Sequence, residues 1–247
     1  MAAKKLPITG LIVGEVSPAV LVCGDPARAT KIAGYLASAD LLSEQREYRA
    51  YRGIHEGIPV TVCSHGIGAS GAAIAFEELI TAGAKQIIRI GTCGGLQPDI
   101  TTGHLVIVTA AVQNTGYGRE SFPEGYPAVA DLELSYALHE AAAAHGHIYH
   151  SGIVVTRDTF YPGINTPYTP DYRLLSQANV LAVEMECAAL FLVASLRRVQ
   201  AAAILAVDGN VLHSRESMDE YNPHQDTVAA AIQAEIEIAL QALHNLS

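Results

Sequence analysis

Basic side chains are scarce in this chain: 15 Lys and Arg stand against 25 Asp and Glu, a formal net charge of −10. Binding along a duplex needs a basic face to neutralise phosphates, so this composition argues against non-specific nucleic-acid binding, and an anionic substrate has to be small and met locally. Long apolar runs are also missing. Half of the residues are hydrophobic, yet Gly, Pro or charge interrupts each run before it reaches bilayer-spanning length, which predicts no transmembrane helix and no membrane partner. The stretch Met1-Ala-Ala-Lys-Lys-Leu-Pro7 has too few apolar residues for a secretory signal, so a cytoplasmic location is expected. The four cysteines, Cys23, Cys63, Cys93 and Cys187, lack the paired spacing of a zinc site or a disulfide framework and read as free thiols. The histidines, His55 and His65 among them, show no metal-ligand spacing, and no metal is expected. There is no internal repeat and no low-complexity tract.

What is present is an alternation of elements. Apolar stretches rich in β-branched residues predict strands at 19–23, 58–64, 86–91, 104–113, 148–156, 180–184 and 201–207. Ala, Leu and Ile returning at three- and four-residue intervals predict helices over 26–38, 69–83, 131–146, 187–198 and 225–244. Strands alternating with helices indicate an α/β fold, one domain over residues 1–247, with a mixed central sheet flanked by helices on both faces. Three loop-like regions, 114–128, 157–172 and 209–224, are expected to supply lids and pocket walls.

The chemistry gathers at strand ends. Gly24-Asp25-Pro26-Ala27-Arg28 and Arg89-Ile90-Gly91-Thr92-Cys93-Gly94-Gly95 each join bare backbone N–H groups to an arginine, and with the Thr92 hydroxyl they suit an oxyanion with several charged oxygens. The same residues also read as a helix cap, with Pro26 in the first turn, and as simple chain turns at Gly91, Gly94 and Gly95. Val183-Glu184-Met185-Glu186-Cys187 lies where strand gives way to helix. Its carboxylates suit the neighbouring hydroxyls of a sugar, or equally the dipole of the helix N-terminus. Asp208 closes an apolar run, where α/β sheets commonly place ligands, although Asp208-Gly209 also reads as a hairpin turn. Arg46 sits in a charged segment that by itself reads as a solvated edge. Phe160-Tyr161-Pro162-Gly163 offers a flat wall for a heterocycle, or plain packing.

Five segments in this order resemble the nucleoside phosphorylase family, which includes uridine phosphorylases and hexameric purine nucleoside phosphorylases. They are Gly24 to Arg28, Ser64-His65-Gly66-Ile67-Gly68, Arg89 to Gly94, Tyr126-Pro127-Ala128-Val129-Ala130-Asp131, and Val183 to Glu186. The resemblance runs from about Val20 to the C-terminal helix. It implies a phosphate site built from Gly24, Arg28, Arg89 and Thr92, with Arg46 reaching in from a neighbouring subunit. It also implies a ribose site at Glu184, Met185 and Glu186, and a base site at Cys93, Gly94, Phe160, Val183 and Asp208. Inorganic phosphate is then the co-substrate, no cofactor is needed, and the assembly is a homohexamer formed as a trimer of dimers.

Within the family, Ile204-Leu205-Ala206-Val207-Asp208-Gly209 resembles apicomplexan purine nucleoside phosphorylases, where the matching aspartate serves the purine N7. Uridine phosphorylases carry a glutamine and an arginine where this chain has Ile164 and Thr166, although Thr159 to Gly163 looks more like those enzymes. The implied substrates are inosine- or guanosine-like, with uridine and 5′-methylthio-nucleosides as alternatives. Relatives also place a histidine near the N-terminus for the ribose 5′-hydroxyl; Leu6, Pro7 or Ile8 falls there. Glu47 and Ile67 match part of a potassium site of some uridine phosphorylases, but Gly71 replaces its serine.

N-glycosidic cleavage builds positive charge on the ribose and negative charge on the departing base, so a catalyst needs an anion beneath C1′ and a proton donor beside the base. Phosphate fills the first role, and Asp208 fills the second if burial keeps it protonated. A nucleoside hydrolase would have no use for the arginine cluster, and a nucleoside-binding protein would have no use for the acid.

Overall fold

The computed structural model describes residues 4–161, 163–212 and 222–246; Pro162 and positions 213–221 of the third predicted loop lie outside them. The chain opens with β1 (Ala19–Cys23), buried along its whole length, and α1 (Pro26–Ala33). The Asp25 side chain accepts the Ala27 N–H at 2.8 Å and Pro26 occupies the first turn, so the helix starts where a side-chain acceptor and a preset φ coincide. The helix stops at Gly34, short of the predicted 38. A hairpin follows, with the charged Arg46 segment at its exposed turn: β2 (Ala37–Gln45) and β3 (Tyr48–His55) pair antiparallel and lead into β4 (Ile58–Ser64). β2 is largely exposed, so no run of buried apolar side chains marks it in the sequence.

Next come α2 (Ala69–Ala82), β5 (Gln86–Gly95) and β6 (Leu105–Asn114), then a short α3 (Gly116–Ser121) inside the first predicted loop and a two-residue β7 (Ala128–Val129). The remainder is α4 (Leu132–His145), β8 (Tyr149–Arg157), α5 (Tyr172–Gln177), β9 (Ala182–Glu184), α6 (Cys187–Arg197), β10 (Gln200–Asn210) and α7 (Asp226–Asn245). Asp208, Gly209 and Asn210 continue β10 and do not form a hairpin turn.

The strands run in the order β10-β6-β8-β9-β5-β1-β4-β3-β2, and β10 also pairs with β5. Five strands therefore close into a ring, and β1, β4, β3 and β2 extend from it as an open wing. β5 makes the junction: Gln86 to Arg89 lie beside β1, whereas Gly94 and Gly95 pair with Val183 and Ala182 of β9. A Cβ on Gly95 would sit 2.8 Å from the Ile100 carbonyl oxygen, and one on Gly94 would sit 2.8 Å from Val211 Cγ1. These glycines lie within the strand, which runs past its predicted end at 91, because neighbouring chain approaches too closely for a side chain.

Helices cover both faces, as the alternation of elements predicts. α2 and α6 bring Phe76, Leu79, Leu190 and Phe191 against one face, while α1, α4 and α7 bring Ile32, Leu138, Ile236 and Leu240 against the other. β10 shows the two-residue period directly, with Leu205 and Val207 in the first cluster and Ile204 and Ala206 in the second. Among the described residues no helix is long and apolar enough to cross a membrane.

Gly95→Ala should lower unfolding free energy by about 1–3 kcal/mol in urea denaturation, the usual cost of forcing a group into filled space. An unchanged midpoint would show that the Ile100 segment yields at no cost.

Candidate active site

A cavity of about 950 Å³ opens where β1, β5, β8, β9 and β10 end. Gly24, Arg28, Arg89, Thr92, Cys93, Gly94, Phe160, Val183, Glu184, Met185, Glu186 and Asp208 all line it, so the predicted anion, sugar and base groups share one space. Arg46 is the exception. It is exposed at the β2–β3 turn with φ of 54° and does not line this cavity.

Arg89 is the centre of the site. Its side chain is almost fully buried, and Nη2 lies 2.5 Å from Glu186 Oε2 and 3.3 Å from Glu184 Oε2. Burial pulls its pKa down, but the facing carboxylates, Glu186 foremost, outweigh that and hold it above its ordinary range. A Cβ on Gly91 would come within 2.9 Å of Arg89 Cζ, so the folded-back guanidinium occupies space that only glycine leaves open.

Of the two readings of the glutamate segment, the structure shows the helix cap directly. Glu184 accepts the N–H of Glu186 at 2.7 Å and of Cys187 at 2.9 Å, capping the start of α6, and it also faces the cavity. Thr156 donates its hydroxyl to Glu184 and accepts the Ala188 N–H at 2.9 Å. Glu186 reaches across to the Gly68 N–H at 2.6 Å, tying α6 to the start of α2. Burial raises the Glu186 pKa, Arg89 opposes the shift, and Glu184 adds to it.

Three contributors were given no site role in the sequence reading. His65 is fully buried, and its Nδ1 lies 2.9 Å from the Gly66 carbonyl, which can only accept, so Nδ1 carries the proton and Nε2 turns its lone pair to Arg89 Nη1 at 3.5 Å. Burial, then Arg89, drives its pKa well below the ordinary value, so it works as a neutral acceptor. Glu235 of α7 lies at the Arg28 end of the cavity, 3.5 Å from Arg28 Nη1 and 3.3 Å from the Gly91 N–H. Its position on the apolar stripe of Val228, Ala231 and Ile238 was the available signal. Arg157, the last residue of β8, lines the cavity although it is only 8% exposed; a charge directly after a buried strand was its signal.

Asp208 is 7% exposed and sits at a register break: Val207 pairs with Cys93 and Gly209 with Gly94, leaving Asp208 as the extra residue of a bulge. A bulge re-aims the side chain that a regular strand would direct elsewhere. The four cysteines are free and buried. Burial and then Asp208 push the Cys93 thiol well above its ordinary range, so it is a neutral wall and no nucleophile. Among the described residues no cluster of His, Cys, Asp and Glu could hold a metal ion.

Residues 18–244 match the family model of the phosphorylase superfamily. The chain belongs to the nucleoside phosphorylase family. It is 38% identical over 235 residues to a uridine phosphorylase of Treponema pallidum, covering 91% of each chain. It is 37% identical over 237 residues to a purine nucleoside phosphorylase of Plasmodium falciparum, covering 94% of this chain and 93% of that one. A solved purine nucleoside phosphorylase of Toxoplasma gondii, in complex with immucillin-H, superposes with a TM-score of 0.91 at 35% identity, covering 100% of this chain and 98% of that one. The reaction of this phosphorylase is therefore the phosphorolysis of nucleosides, and relatives of similar identity divide between purine and uridine enzymes.

Burial raises the Glu235 carboxyl of this phosphorylase from 4.5 to about 8, against the pull of Arg28. The folded state thus holds a proton that the unfolded chain releases near 4.5, and its stabilising effect is lost as pH rises toward about 8. Relative to Glu235→Gln, wild-type unfolding free energy should fall across that window by up to ~1.4 kcal/mol per pH unit, as read by urea denaturation. Parallel pH profiles would mean that Glu235 stays ionised throughout.

Proposed function

We propose that this phosphorylase cleaves purine nucleosides, inosine- and guanosine-like ones foremost, with inorganic phosphate as co-substrate, releasing the free base and ribose 1-phosphate. The observation that carries this reading is Asp208, a buried carboxyl at a bulge in the cavity wall. Ile164 is 87% exposed and Thr166 is exposed, so the segment after Phe160 turns neither side chain inward to read a uracil.

Phosphate enters between Arg28 and Arg89, accepting also from the Gly24 backbone and the Thr92 hydroxyl. Arg89 Nε has no hydrogen-bond partner among the described residues, a buried donor that an oxyanion would satisfy. Glu184 and Glu186, with Met185, hold the ribose over that anion, and Phe160 and Val183 flank the base beside Cys93 and Gly94. Positive charge growing on the ribose is stabilised by the phosphate beneath it, and Asp208 donates its proton to N7 as the glycosidic bond breaks. Arg46 completes the phosphate site of a neighbouring subunit, which fits its exposed place on a hairpin tip, and the active assembly is a homohexamer formed as a trimer of dimers. Leu6 is buried in the core and Ile8 donates its N–H to Glu78, so neither replaces the N-terminal histidine within its own cavity.

Uridine phosphorolysis is the second reading, favoured by the Treponema relative. Asp208→Asn should lower kcat on inosine on the order of 10²–10⁴ while leaving the phosphate KM within a few-fold. Near-normal turnover of inosine by that variant removes Asp208 from the chemistry, and wild-type activity on uridine alone removes the purine reading.

A further inference from the structure

Arg157 has no part in the reaction derived above, yet it is a nearly buried charge in the wall of the cavity. Its guanidinium is fixed rather than trailing. Nη1 donates to the Tyr172 hydroxyl, Nη2 donates to Thr159 Oγ1 at 2.6 Å, and Cζ lies 5.5 Å from the centre of the Tyr172 ring. Its location follows from register. Thr156 of β8 stands opposite Glu184 of β9, and Arg157 lies one residue further on, on the same strand face as Val155. Val155 packs with Leu96, Val180 and Val183, and Tyr172 and Val211 close over that group. Val183 and Val211 are the side chains that crowd Gly94, the residue paired with Gly209 next to Asp208. Arg157 therefore belongs to the Val183–Asp208 end of the cavity, away from the Arg28 end.

A guanidinium has five donors and no acceptor, and it remains charged at every working pH. Beside the apolar side chains of Val155, Val183 and Val211 it favours a ligand edge that presents a carbonyl oxygen. An exocyclic amine at the same place sets donor against donor and cannot accept from the guanidinium. We propose that Arg157 is a specificity-determining residue that selects bases with an oxo group over bases with an amino group at that edge, 6-oxopurines over 6-aminopurines. This rests on the purine reading for the pair of bases named, but the same chemistry sorts uracil from cytosine. Tyr172 acts as a positioning residue, since its hydroxyl and ring hold the fork in place.

The test compares kcat/KM with phosphate for inosine, adenosine, uridine and cytidine in the wild type, in Arg157→Met, which keeps length without donors, and in Tyr172→Phe, which keeps the ring. Calorimetric binding of hypoxanthine, adenine, uracil and cytosine gives the same comparison without turnover and serves if a variant is too impaired to assay. The expected result is a wild-type preference for the oxo member of each pair that it accepts. That preference should fall at least about tenfold in Arg157→Met and less in Tyr172→Phe, with the phosphate KM unchanged. An unchanged oxo-to-amino ratio in Arg157→Met, or an equal loss on both members of a pair, overturns the proposal. A wild type active on uridine alone defeats the purine reading instead, and the uridine-to-cytidine ratio then decides the role of Arg157.

Discussion

The ion pairs between Arg89 and the two glutamates are the constraint on which the site depends. A guanidinium this deeply buried is tolerable only when facing charges compensate its lost hydration, and two carboxylates sharing a wall are tolerable only with a cation between them. Removing one partner from such an arrangement typically costs about 3–5 kcal/mol, because the remaining charge stays buried and uncompensated. Around this centre the secondary contacts line up. The neutral His65 faces Arg89 with a lone pair, Thr156 and the first N–H groups of α6 hold Glu184, and Gly68 holds Glu186. Arg89, Glu184 and Glu186 are thus one electrostatic unit.

The fold supplies that unit through the path of β5. Arg89 leaves from its part that pairs with β1, and five residues later Gly94 pairs with β9, which carries Glu184 at its end. Closing the ring through β10 then brings Asp208 beside the same glycines. Residues more than a hundred positions apart in the chain meet because one strand belongs both to the open wing and to the ring. The residues proposed for phosphate, sugar and base consequently line one cavity, and transfer of a glycosyl group from base to phosphate demands such proximity.

Much of this was legible in the sequence because each contributing motif is local: an apolar run meeting a charged side chain, in most cases with glycine beside it. Gly24 to Arg28, Arg89 to Gly94, Val183 to Glu186 and Asp208 all follow that rule, and the structure gathers them around one cavity. The misses have separate causes. β2 lies largely exposed at the edge of the sheet with charged and polar side chains, so burial wrote no alternation into it. Glu235 lies mid-helix, where a carboxylate ordinarily faces water, and its place on the apolar stripe was the one signal of its burial. The role of Gly95 follows from the closeness of the Ile100 carbonyl, which spacing along the chain does not encode. Arg157 was passed over because a strand was taken to end at 156, one residue before its last member.

The most direct measurement is a crystal structure of the protein grown with inorganic phosphate. One phosphate should bind between Arg28 and Arg89, within hydrogen-bond distance of both guanidinium groups, the Gly24 backbone and Thr92, with Glu184 and Glu186 still on Arg89. A phosphate-saturated crystal in which that space holds only water, with Arg89 engaged by the glutamates alone, would contradict it.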